Sequence, residues 1–396
     1  MMTMNYKSIT LKRNKDNSLK RFHPWVFSGA IARMDKGISD GDTVNIFNCE
    51  GNYIATGHYG LGSIAVRVLT FSGEEIDSSF WRKKIGEASA LRKITVNNKN
   101  TDMFRLVHGE GDCLPGLVVD VYGHTAVMQA HSTGMHRSRY EIAQAIVDVM
   151  NGQINSVYYK SNTTLPFAEE NDNIDGFLIG KVSTNVSSEN GLKFHIDWEH
   201  GQKTGFFVDQ RENRRLAMQY AKNRKVLNMF CYTGGFSVYT LSGEAEIVHS
   251  VDSSAKAIEI TDSNIELNFP ECSRHKSFTE DAFRFLQNME KDFYDFIILD
   301  PPAFAKHLDA VRSALRGYTR INQKAIEKIA KGGILFTFSC SQAVNKEQFR
   351  LAVFTAAAQA GRNVKILHQL HQSPDHPINI YHPEGEYLKG LVLYVE

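Results

Sequence analysis

The sequence predicts an α/β protein in which a doubly wound parallel sheet follows a small β-barrel and a central α+β domain. Three observations predict this fold class. Apolar runs alternate with helical stretches after about residue 191, a helical pattern lies among strand patterns between residues 104 and 190, and short strands broken by glycine fill residues 1–75. Strands that are buried on both faces and alternate with helices are typical of parallel sheets. We therefore expect three domains, at residues 1–76, 77–190 and 191–396.

The two N-terminal domains differ in their patterns. Strands of the first are predicted at residues 25–27, 43–47, 53–56 and 64–69. A helix over Ser79–Ile94, with basic side chains between its apolar positions, is predicted at the junction. Strands of the second domain are predicted at residues 116–121, 125–129 and 156–159. One helix is expected over Arg137–Met150, and turns are expected at Glu169–Asp175 and Ser183–Asn190.

The composition is that of a globular protein. Of the 396 residues, 42% are hydrophobic and 22% are charged. No apolar run approaches the roughly 18 residues of a membrane span, and residues 1–10 lack the apolar core of a secretion signal. The five cysteines are scattered without a C-x-x-C pair, which argues against a disulfide framework or a zinc knuckle. We expect a cytoplasmic protein without a membrane or metal partner.

Charge alone does not decide whether the protein binds nucleic acid. The formal net charge is only +1, whereas a protein held by phosphates usually has a basic excess. Basic residues do cluster at 12–21, 82–84 and 211–225. Each cluster is equally typical of a solvated helix face or loop, so the sequence leaves both interpretations open.

The third domain carries the motifs that predict a small-molecule site. Its apolar strands are predicted at residues 225–229, 246–251, 294–299 and 333–338. Ligands of such sheets bind beyond the carboxyl ends of the strands. The first strand leads into Gly234 and Gly235, which let the backbone pass close to a ligand. The second ends at Asp252, about 20 residues further on, where a carboxylate can accept hydrogen bonds from ribose hydroxyls.

Together these two motifs predict a nucleoside ligand. A regular G-x-G-x-x-G is missing, which favours S-adenosylmethionine over a dinucleotide. Asp281 follows the third strand, where it is a candidate for contacting adenine and equally for capping a helix. Asp300 precedes two prolines that hold the end of the fourth strand open, so its carboxylate can face a planar base. A turn that simply ends the strand is the alternative for this segment.

Cys340 stands at the end of the fifth strand, between two serines. A buried cysteine is by default a small apolar filler. Its place at a carboxyl strand end, next to the strand of Asp300, instead favours a nucleophile. Because C5 of a pyrimidine is a poor nucleophile, its methylation needs a thiolate that adds at C6. A free thiol, with a pKa of about 8.5, needs a local field to ionise.

Four further segments complete a resemblance to a known family. They are His23-Pro-Trp-Val-Phe-Ser-Gly29, Leu114-Pro-Gly-Leu117, Gly201-Gln-Lys-Thr-Gly-Phe-Phe-Val-Asp-Gln-Arg211 and Tyr387-Leu-Lys-Gly390. With the motifs above, the chain resembles the ribosomal RNA large-subunit methyltransferase I family over nearly its whole length. The resemblance implies an N-terminal PUA domain, a central linking domain and a Rossmann-like methyltransferase domain. It also implies that S-adenosylmethionine is the cofactor and that 23S rRNA receives 5-methylcytosine.

The resemblance assigns roles to individual residues. Cys340 is the implied nucleophile, and Asp300 is the implied partner of the N3 and amino edge of cytosine. The implied donor contacts are Asp209, Gln210, Arg214, Asn228, Phe230, Tyr232, Gly234, Phe236, Asp252, Ser253, Asp281 and Asp300. Related RNA cytosine methyltransferases often carry a second cysteine after the proline pair, where this chain has Ala303. The base that releases the enzyme therefore has no candidate in the sequence.

Two other functions remain open at this point. A purine or amine methyltransferase of the same fold would need no thiol, and a ribosome assembly factor that binds RNA without catalysis would need no donor. The intact glycines and Asp252 argue against the second. The target base must leave its stack to meet a thiol, so free or partly assembled 23S rRNA is the expected partner. Dimerisation is implied by the relatives alone.

Overall fold

A computed structural model describes residues 6–96, 99–166, 174–181, 185–305 and 307–396. The chain divides into two compact units. An N-terminal unit takes residues 1–188, 196–208 and 374–385, and a C-terminal unit takes residues 189–195, 209–373 and 386–396. Each unit is therefore built from three separate parts of the sequence.

The N-terminal unit begins with a six-stranded sheet. Its strands are β1 (Lys7–Leu11), β2 (Trp25–Phe27), β3 (Ile31–Met34), β4 (Thr43–Phe47), β5 (Tyr53–Tyr59) and β6 (Ile64–Thr70). They are arranged in the order β2-β6-β5-β4-β1-β3, with β1 and β4 parallel. Alternating apolar residues, among them Ile9, Val44 and Val66, form a core that is closed to solvent. All four strands predicted here are present.

A five-stranded sheet and three helices complete this unit. The elements are α1 (Ser78–Thr95), β7 (Met103–His108), β8 (Leu117–Tyr122), β9 (Thr125–Ala130), α2 (Thr133–Arg137), α3 (Arg139–Met150), β10 (Ser156–Tyr159) and β11 (Gly176–Ile179). The strand order is β11-β10-β9-β8-β7. Helix α1 begins after Asp77, whose carboxylate accepts hydrogen bonds from the backbone N–H groups of Ser79 and Phe80.

The details of this region correct two predictions and add strands that were not predicted, β7 and β11. The helix predicted from Arg137 begins at Arg139, because the chain bends at Ser138 between α2 and α3. The turn predicted over Ser183–Asn190 is wrong for Val186–Glu189, which form strand β12. Residues 183–184 of that turn, and 169–173 of the other, lie outside the described residues.

The six-stranded sheet and the central sheet have separate hydrophobic cores. The core of the central sheet gathers Trp81, Ile85 and Ile146 from its helices against Val119 and Met128 from its strands. On this ground we propose the three-domain partition, with boundaries at residues 76 and 190.

The C-terminal unit is an open, twisted α/β sheet covered by helices. After β13 (Leu192–His195), its elements are α4 (Arg211–Tyr220), β14 (Lys225–Met229), α5 (Gly235–Ser242), β15 (Ile247–Asp252), α6 (Ala255–Asn268), β16 (His275–Thr279), α7 (Ala282–Asn288), β17 (Phe296–Leu299), α8 (Val311–Lys328), β18 (Gly333–Ser339), α9 (Lys346–Ala360), β19 (Val364–Leu370) and β20 (Lys389–Val395). The strand order is β16-β15-β14-β17-β18-β20-β19. Strands β14 to β18 are parallel, and β20 is antiparallel to both of its neighbours.

The strand order predicts where on this sheet a ligand binds. The chain moves outward from β14 in one direction to β16 and then returns to β17 on its other side. Such a reversal opens a crevice at the carboxyl ends of the two central strands, where ligands bind. Strands β14 and β17 are buried along their length, with Leu227 and Ile298 fully closed to solvent. The residues that follow these strands therefore stand at a rigid edge of the sheet.

Candidate functional site in the C-terminal unit

The turn after β14 has an uncommon backbone. Phe230 and Tyr232 adopt left-handed conformations, with φ angles of 58° and 48°, and Gly234 follows with φ 78°. Bulky residues rarely adopt this conformation, and clusters of it mark functional turns. At Gly234 an added Cβ would lie 2.7 Å from the Thr261 side chain, so only glycine fits the turn. The chain is thereby folded tightly over the end of β14.

Buried polar atoms in this turn lack partners. The amide nitrogen of Asn228 donates a hydrogen bond of 2.8 Å to Ser237, but its Oδ1 is buried with no partner among the described residues. The hydroxyl of Thr233 is in the same situation. Burying polar atoms without partners is costly, and native proteins reserve them for ligands or bound water. These atoms fit a polar small molecule in the crevice.

Asp252 ties the turn to the end of β15. Its carboxylate accepts hydrogen bonds from the backbone N–H of Tyr232, at 3.0 Å, and of Ser254, at 2.9 Å. Its side chain remains partly exposed, and Ser253 beside it is exposed. A carboxylate fixed by backbone donors keeps lone pairs free for ribose hydroxyls.

Asp281 has a visible role in the fold. It is exposed at the start of α7 and accepts a hydrogen bond of 3.0 Å from the backbone N–H of Arg284. The helix cap that the sequence offered as one alternative is therefore present. A contact with adenine is compatible with this cap and stays a prediction.

Two other predicted donor contacts are packed inside the unit. Arg214 lies in a buried, two-pronged ion pair with Glu189, with nitrogen–oxygen distances of 2.7 and 2.8 Å, and Tyr239 donates to the same carboxylate at 2.9 Å. Such a pair fixes the start of α4 in place. Phe236 is 5% exposed and packs against Phe338, with ring centroids 5.6 Å apart. Contacts of either residue with the donor stay predictions.

Asp300 follows β17 and is surrounded by polar groups. Gln210 donates to its Oδ2 at 3.0 Å, and Asn213 in turn donates to Gln210 at 2.6 Å. Burial, and then the nearby Asp209 carboxylate, raise the pKa of Asp300 to about 7. The carboxyl can therefore carry a proton near neutral pH, which an ordinary aspartate does not.

Asp209 is held from two sides. The hydroxyl of Tyr387 donates to its Oδ2 at 2.6 Å, and Ser373 donates to its backbone carbonyl at 2.8 Å. Its Oδ1 is buried without a partner among the described residues. Tyr387 belongs to the Tyr-Leu-Lys-Gly segment, which the sequence offered only as a point of resemblance. Its role as a support for Asp209 was missed because the two residues are 178 positions apart.

Cys340 follows β18, the neighbour of β17. Its Sγ lies 3.8 Å from the backbone carbonyl of Pro301. Ser339 and Ser341 on either side share the buried Tyr318 hydroxyl, at 2.9 and 3.0 Å, so the turn is anchored through both serines. Burial, together with the carboxylates of Asp300 and Asp209, raises the pKa of Cys340 to about 12. The structure thus brings the predicted thiol and the predicted aspartate to adjacent strand ends.

Lys389 is a second residue whose local role the sequence did not reveal. It is 5% exposed, and its Nζ donates a hydrogen bond of 2.6 Å to the carbonyl of Ser341. A signal was available in principle, because Lys389 directly precedes the apolar residues of a buried strand, and charged residues are uncommon at such positions.

A doubly wound sheet with a glycine turn after β14 and an acidic residue after β15 defines a nucleoside-binding enzyme of the Rossmann-like class, and known proteins narrow that class. Residues 104–382 match the S-adenosylmethionine-dependent methyltransferase family, and residues 9–71 match a PUA-like domain. Ribosomal RNA large subunit methyltransferase I of Alteromonas mediterranea is 39% identical over 392 residues, covering 98% of each chain. The protein of that name from Escherichia coli O157:H7 is 36% identical over 393 residues, covering 98% of this chain and 99% of its own. The chain belongs to the ribosomal RNA large subunit methyltransferase I family.

Solved structures agree on the fold. SMU.776, a methyltransferase by its description that was crystallised with SAH, has a TM-score of 0.84 at 21% identity. The match covers 98% of this chain and 100% of that one. A second structure, described as an S-adenosylmethionine-dependent methyltransferase from Streptococcus mutans, has a TM-score of 0.83 at 20% identity. This match also covers 98% of this chain and 100% of the other. The predicted fold class is confirmed, and S-adenosylmethionine is the cofactor, as predicted.

The residues at and just beyond the ends of β14 and β15 fit this cofactor. The unpartnered oxygen of Asn228 and the carboxylate of Asp252 can accept hydrogen bonds from a polar ligand, and the turn at Gly234 lets the backbone pass close to one. No helix in the described ranges is long and apolar enough to cross a membrane.

Proposed function

We propose that this protein methylates C5 of a cytosine in 23S rRNA, with Cys340 as the nucleophile and Asp300 as the acid that binds the base. The observation that carries the proposal is the position of the thiol. Cys340 Sγ lies 3.8 Å from the carbonyl of Pro301, the residue after Asp300, so sulfur and carboxyl stand at the ends of two adjacent parallel strands. A flipped cytosine that meets Asp300 with its N3 edge would bring C6 towards this sulfur.

The first step makes C5 reactive. When the thiolate of Cys340 adds to C6, a sulfur–carbon bond forms and the π electrons of the C5–C6 bond move towards N3, which takes a proton from Asp300. This step needs a protonated carboxyl. With its pKa raised to about 7, Asp300 carries that proton in about half of the molecules at neutral pH. An aspartate with an ordinary pKa would be almost fully ionised.

The later steps restore the enzyme. S-adenosylmethionine supplies an electrophilic methyl group when bound. C5 accepts that methyl group and then loses its own proton to water, whereupon the sulfur–carbon bond breaks and the C5–C6 double bond returns. N3 gives its proton back to Asp300. Thiolate and neutral carboxyl are thereby regenerated, and one proton is released for each methyl group.

The donor contacts are proposed on the residues that border the turn. Asn228, Phe230, Tyr232 and Gly234 would line the donor, and Asp252 with Ser253 would take the ribose. Asp209, Gln210, Arg214 and Asp300 would line the donor pocket, Phe236 would contact the donor, and Asp281 would contact its adenine.

The partner is proposed to be free or partly assembled 23S rRNA in the cytoplasm, with a homodimer as the working assembly. In the N-terminal unit, Phe22 and Phe27 expose 50% and 49% of their surface, and Lys20 and Arg21 are exposed beside Phe22. Exposed rings next to basic side chains suit a single-stranded nucleic acid, because every base can stack. Relatives with this name act on large-subunit ribosomal RNA.

One observation favours a second candidate function. The pKa of the Cys340 thiol is raised to about 12, which opposes formation of a thiolate. Methylation of an exocyclic amine or ring nitrogen in rRNA would need only the base-binding carboxyl of Asp300 and no thiol. The covalent route requires a group that offsets this raised pKa.

Nucleoside analysis separates the two candidates. Protein, labelled donor and unmethylated 23S rRNA would be incubated, and the RNA digested and analysed by mass spectrometry. Labelled 5-methylcytidine is expected. A labelled methyl group on a purine or on an exocyclic amine would refute the proposal in favour of the second candidate, and the absence of any labelled nucleoside would favour a role in assembly without catalysis.

A further inference from the structure

We propose that the ammonium group of Lys389 is the cationic partner that stabilises the thiolate of Cys340. This inference rests on the proposed role of Cys340 as nucleophile. It supplies a positive charge near the sulfur, which acts against the burial and the two neighbouring carboxylates that raise the pKa of the thiol.

The position of Lys389 follows from the register of two strands. Strand β20 runs antiparallel to β18, and Lys389 is paired with Ser339, the residue before Cys340. At the next position an added Cβ on Gly390 would come within 2.6 Å of the Phe338 ring, so glycine allows the two strands to pack this closely. The lysine side chain is thereby held at the turn of residues 339–341. Its Nζ donates to the carbonyl of Ser341 at 2.6 Å.

Burying the ammonium group of Lys389 costs free energy unless a nearby group stabilises its charge. Lys389 is 5% exposed, although lysine can usually reach solvent with its flexible stem. An ammonium group with a carbonyl as its partner loses much of its hydration without a neutralising charge. A neutral donor would have satisfied the Ser341 carbonyl equally well. The charge is stabilised by an anion nearby, and the groups that act in this way on Lys389 are Cys340, when it is ionised, and Glu386.

Electrostatics link the two residues in both directions. Burial lowers the pKa of Lys389 to about 8, while the charge of Cys340 and that of Glu386 act to raise it and Lys346 acts to lower it. Burial first, then Asp300 and Asp209, raises the pKa of Cys340, and Lys389 opposes this rise. Glu386 is itself engaged in an ion pair with Lys346, so its charge is largely balanced. Among the neighbouring charges, Cys340 has the largest effect on the pKa of Lys389.

The proton balance is simple. When the thiol of Cys340 gives its proton to water, the thiolate that forms lies near Lys389 and acts to raise the pKa of that ammonium group, so the two charges stabilise each other. The same ion pair is restored when the sulfur–carbon bond breaks at the end of the reaction. Lys389 need not touch the base, and we describe it as a residue that positions charge at the nucleophile.

The test measures ionisation of Cys340 in the full-length protein without RNA. The rate of alkylation of the Cys340 peptide by iodoacetamide would be followed by mass spectrometry between about pH 6 and pH 10, since only the thiolate reacts. Lys389→Gln keeps a donor for the Ser341 carbonyl and removes the charge, whereas Lys389→Arg keeps the charge. We expect Lys389→Gln to slow alkylation at least about five-fold at pH 7, where Lys389 is charged, and the difference from wild type to shrink above the Lys389 pKa of about 8. Lys389→Arg should stay close to wild type.

A purely structural lysine gives a different result. If it only held the Ser341 carbonyl, the Lys389→Gln protein would have the wild-type alkylation profile, and the inference would be overturned. Donor affinity, measured by calorimetry, shows that each variant is folded; if Lys389→Gln does not fold, Lys389→Met serves as the neutral variant. Under the inference kcat falls while KM for the donor is unchanged. Failure of the wild-type protein to make 5-methylcytidine would sink the proposed function without touching the alkylation result.

Discussion

The side-chain amide of Gln210 donates a hydrogen bond of 3.0 Å to Oδ2 of Asp300. A donor of this kind stabilises the ionised carboxylate, so it opposes the burial and the Asp209 charge that raise the pKa of Asp300 to about 7. Gln210 therefore sets the pH at which the base-binding carboxyl exchanges its proton.

Replacing Gln210 by leucine should raise the pKa of Asp300 further. A hydrogen bond to a charged group contributes about 1.5 kcal/mol, which corresponds to about one pH unit. The carboxyl ¹³C chemical shift of Asp300, assigned by its absence from Asp300→Asn protein, should titrate near pH 7 in wild type and about one unit higher in Gln210→Leu. Equal midpoints would show that the hydrogen bond does not tune this carboxyl.

Asp300→Asn should stabilise the protein at alkaline pH. The pKa of Asp300 is raised to about 7 in the folded state, against about 3.9 for an unfolded chain. The folded state thus binds the proton more tightly, and the stability that this contributes is complete below pH 4 and is lost as pH rises through 7. The ionised carboxylate then costs about 2 to 4 kcal/mol, allowing for its partial contact with solvent.

Urea unfolding at two pH values measures this effect. At pH 8 the asparagine variant should have the higher free energy of unfolding by that amount, and at pH 4 the two proteins should agree closely. A difference that is the same at both pH values would mean that burial of the charge is not its cause. Turnover of the variant should be lost, because an amide does not transfer a proton to N3.

Cys340→Ala should abolish methyl transfer and leave donor binding intact. The loss should exceed about 10³-fold in kcat, since a covalent step is removed, and the Kd of S-adenosylmethionine should change less than about two-fold. Single-turnover assays and calorimetry measure the two quantities. Cys272→Ala, a change at a partly exposed cysteine between α6 and β16, is the matched control and should keep wild-type activity. Activity that survived in Cys340→Ala would favour methylation of an amine or ring nitrogen.

Gly234→Ala should weaken donor binding. Its φ of 78° is costly for alanine by about 1 to 2 kcal/mol, and the added Cβ would lie 2.7 Å from Thr261. The turn must shift, and calorimetry should give at least about a ten-fold weaker Kd for S-adenosylmethionine. Gly361→Ala provides the matched control, because its φ is 65° and its Cβ would meet nothing within 4 Å. That variant should lose stability alone, and equal donor affinities in the two variants would refute a role for the turn.

Local patterns were enough to predict the sheet and the ends of its strands. Apolar runs predicted β14, β17 and β18. Because the carboxyl ends of parallel strands lie at one edge of the sheet, Asp300 and Cys340 could be expected to lie close together. Strand β7 and the strand at Val186–Glu189 were missed or misassigned, because short strands with mixed side chains have weak periodicity.

Contacts between distant segments could not be predicted. The Asp209–Tyr387 hydrogen bond joins residues 178 positions apart, and the Lys389–Ser341 bond joins residues 48 apart. Neither leaves a mark in periodicity or spacing, because each depends on the antiparallel return of β20. The raised pKa of Asp300 likewise arises from burial, which a sequence motif does not reveal. Arg214 was named as a donor contact by resemblance alone. Its ion pair with Glu189 became visible only in the structure.

Covalent capture on RNA that contains 5-fluorocytosine is the most direct measurement. Fluorine at C5 cannot leave as a proton does, so after methyl transfer the bond between Cys340 and C6 would persist. With S-adenosylmethionine, wild-type protein should form a denaturation-resistant complex whose cross-linked peptide contains Cys340, and Cys340→Ala should form none. A wild-type protein that methylates unmodified RNA but yields no such complex, or yields one through another residue, would contradict the covalent role of Cys340.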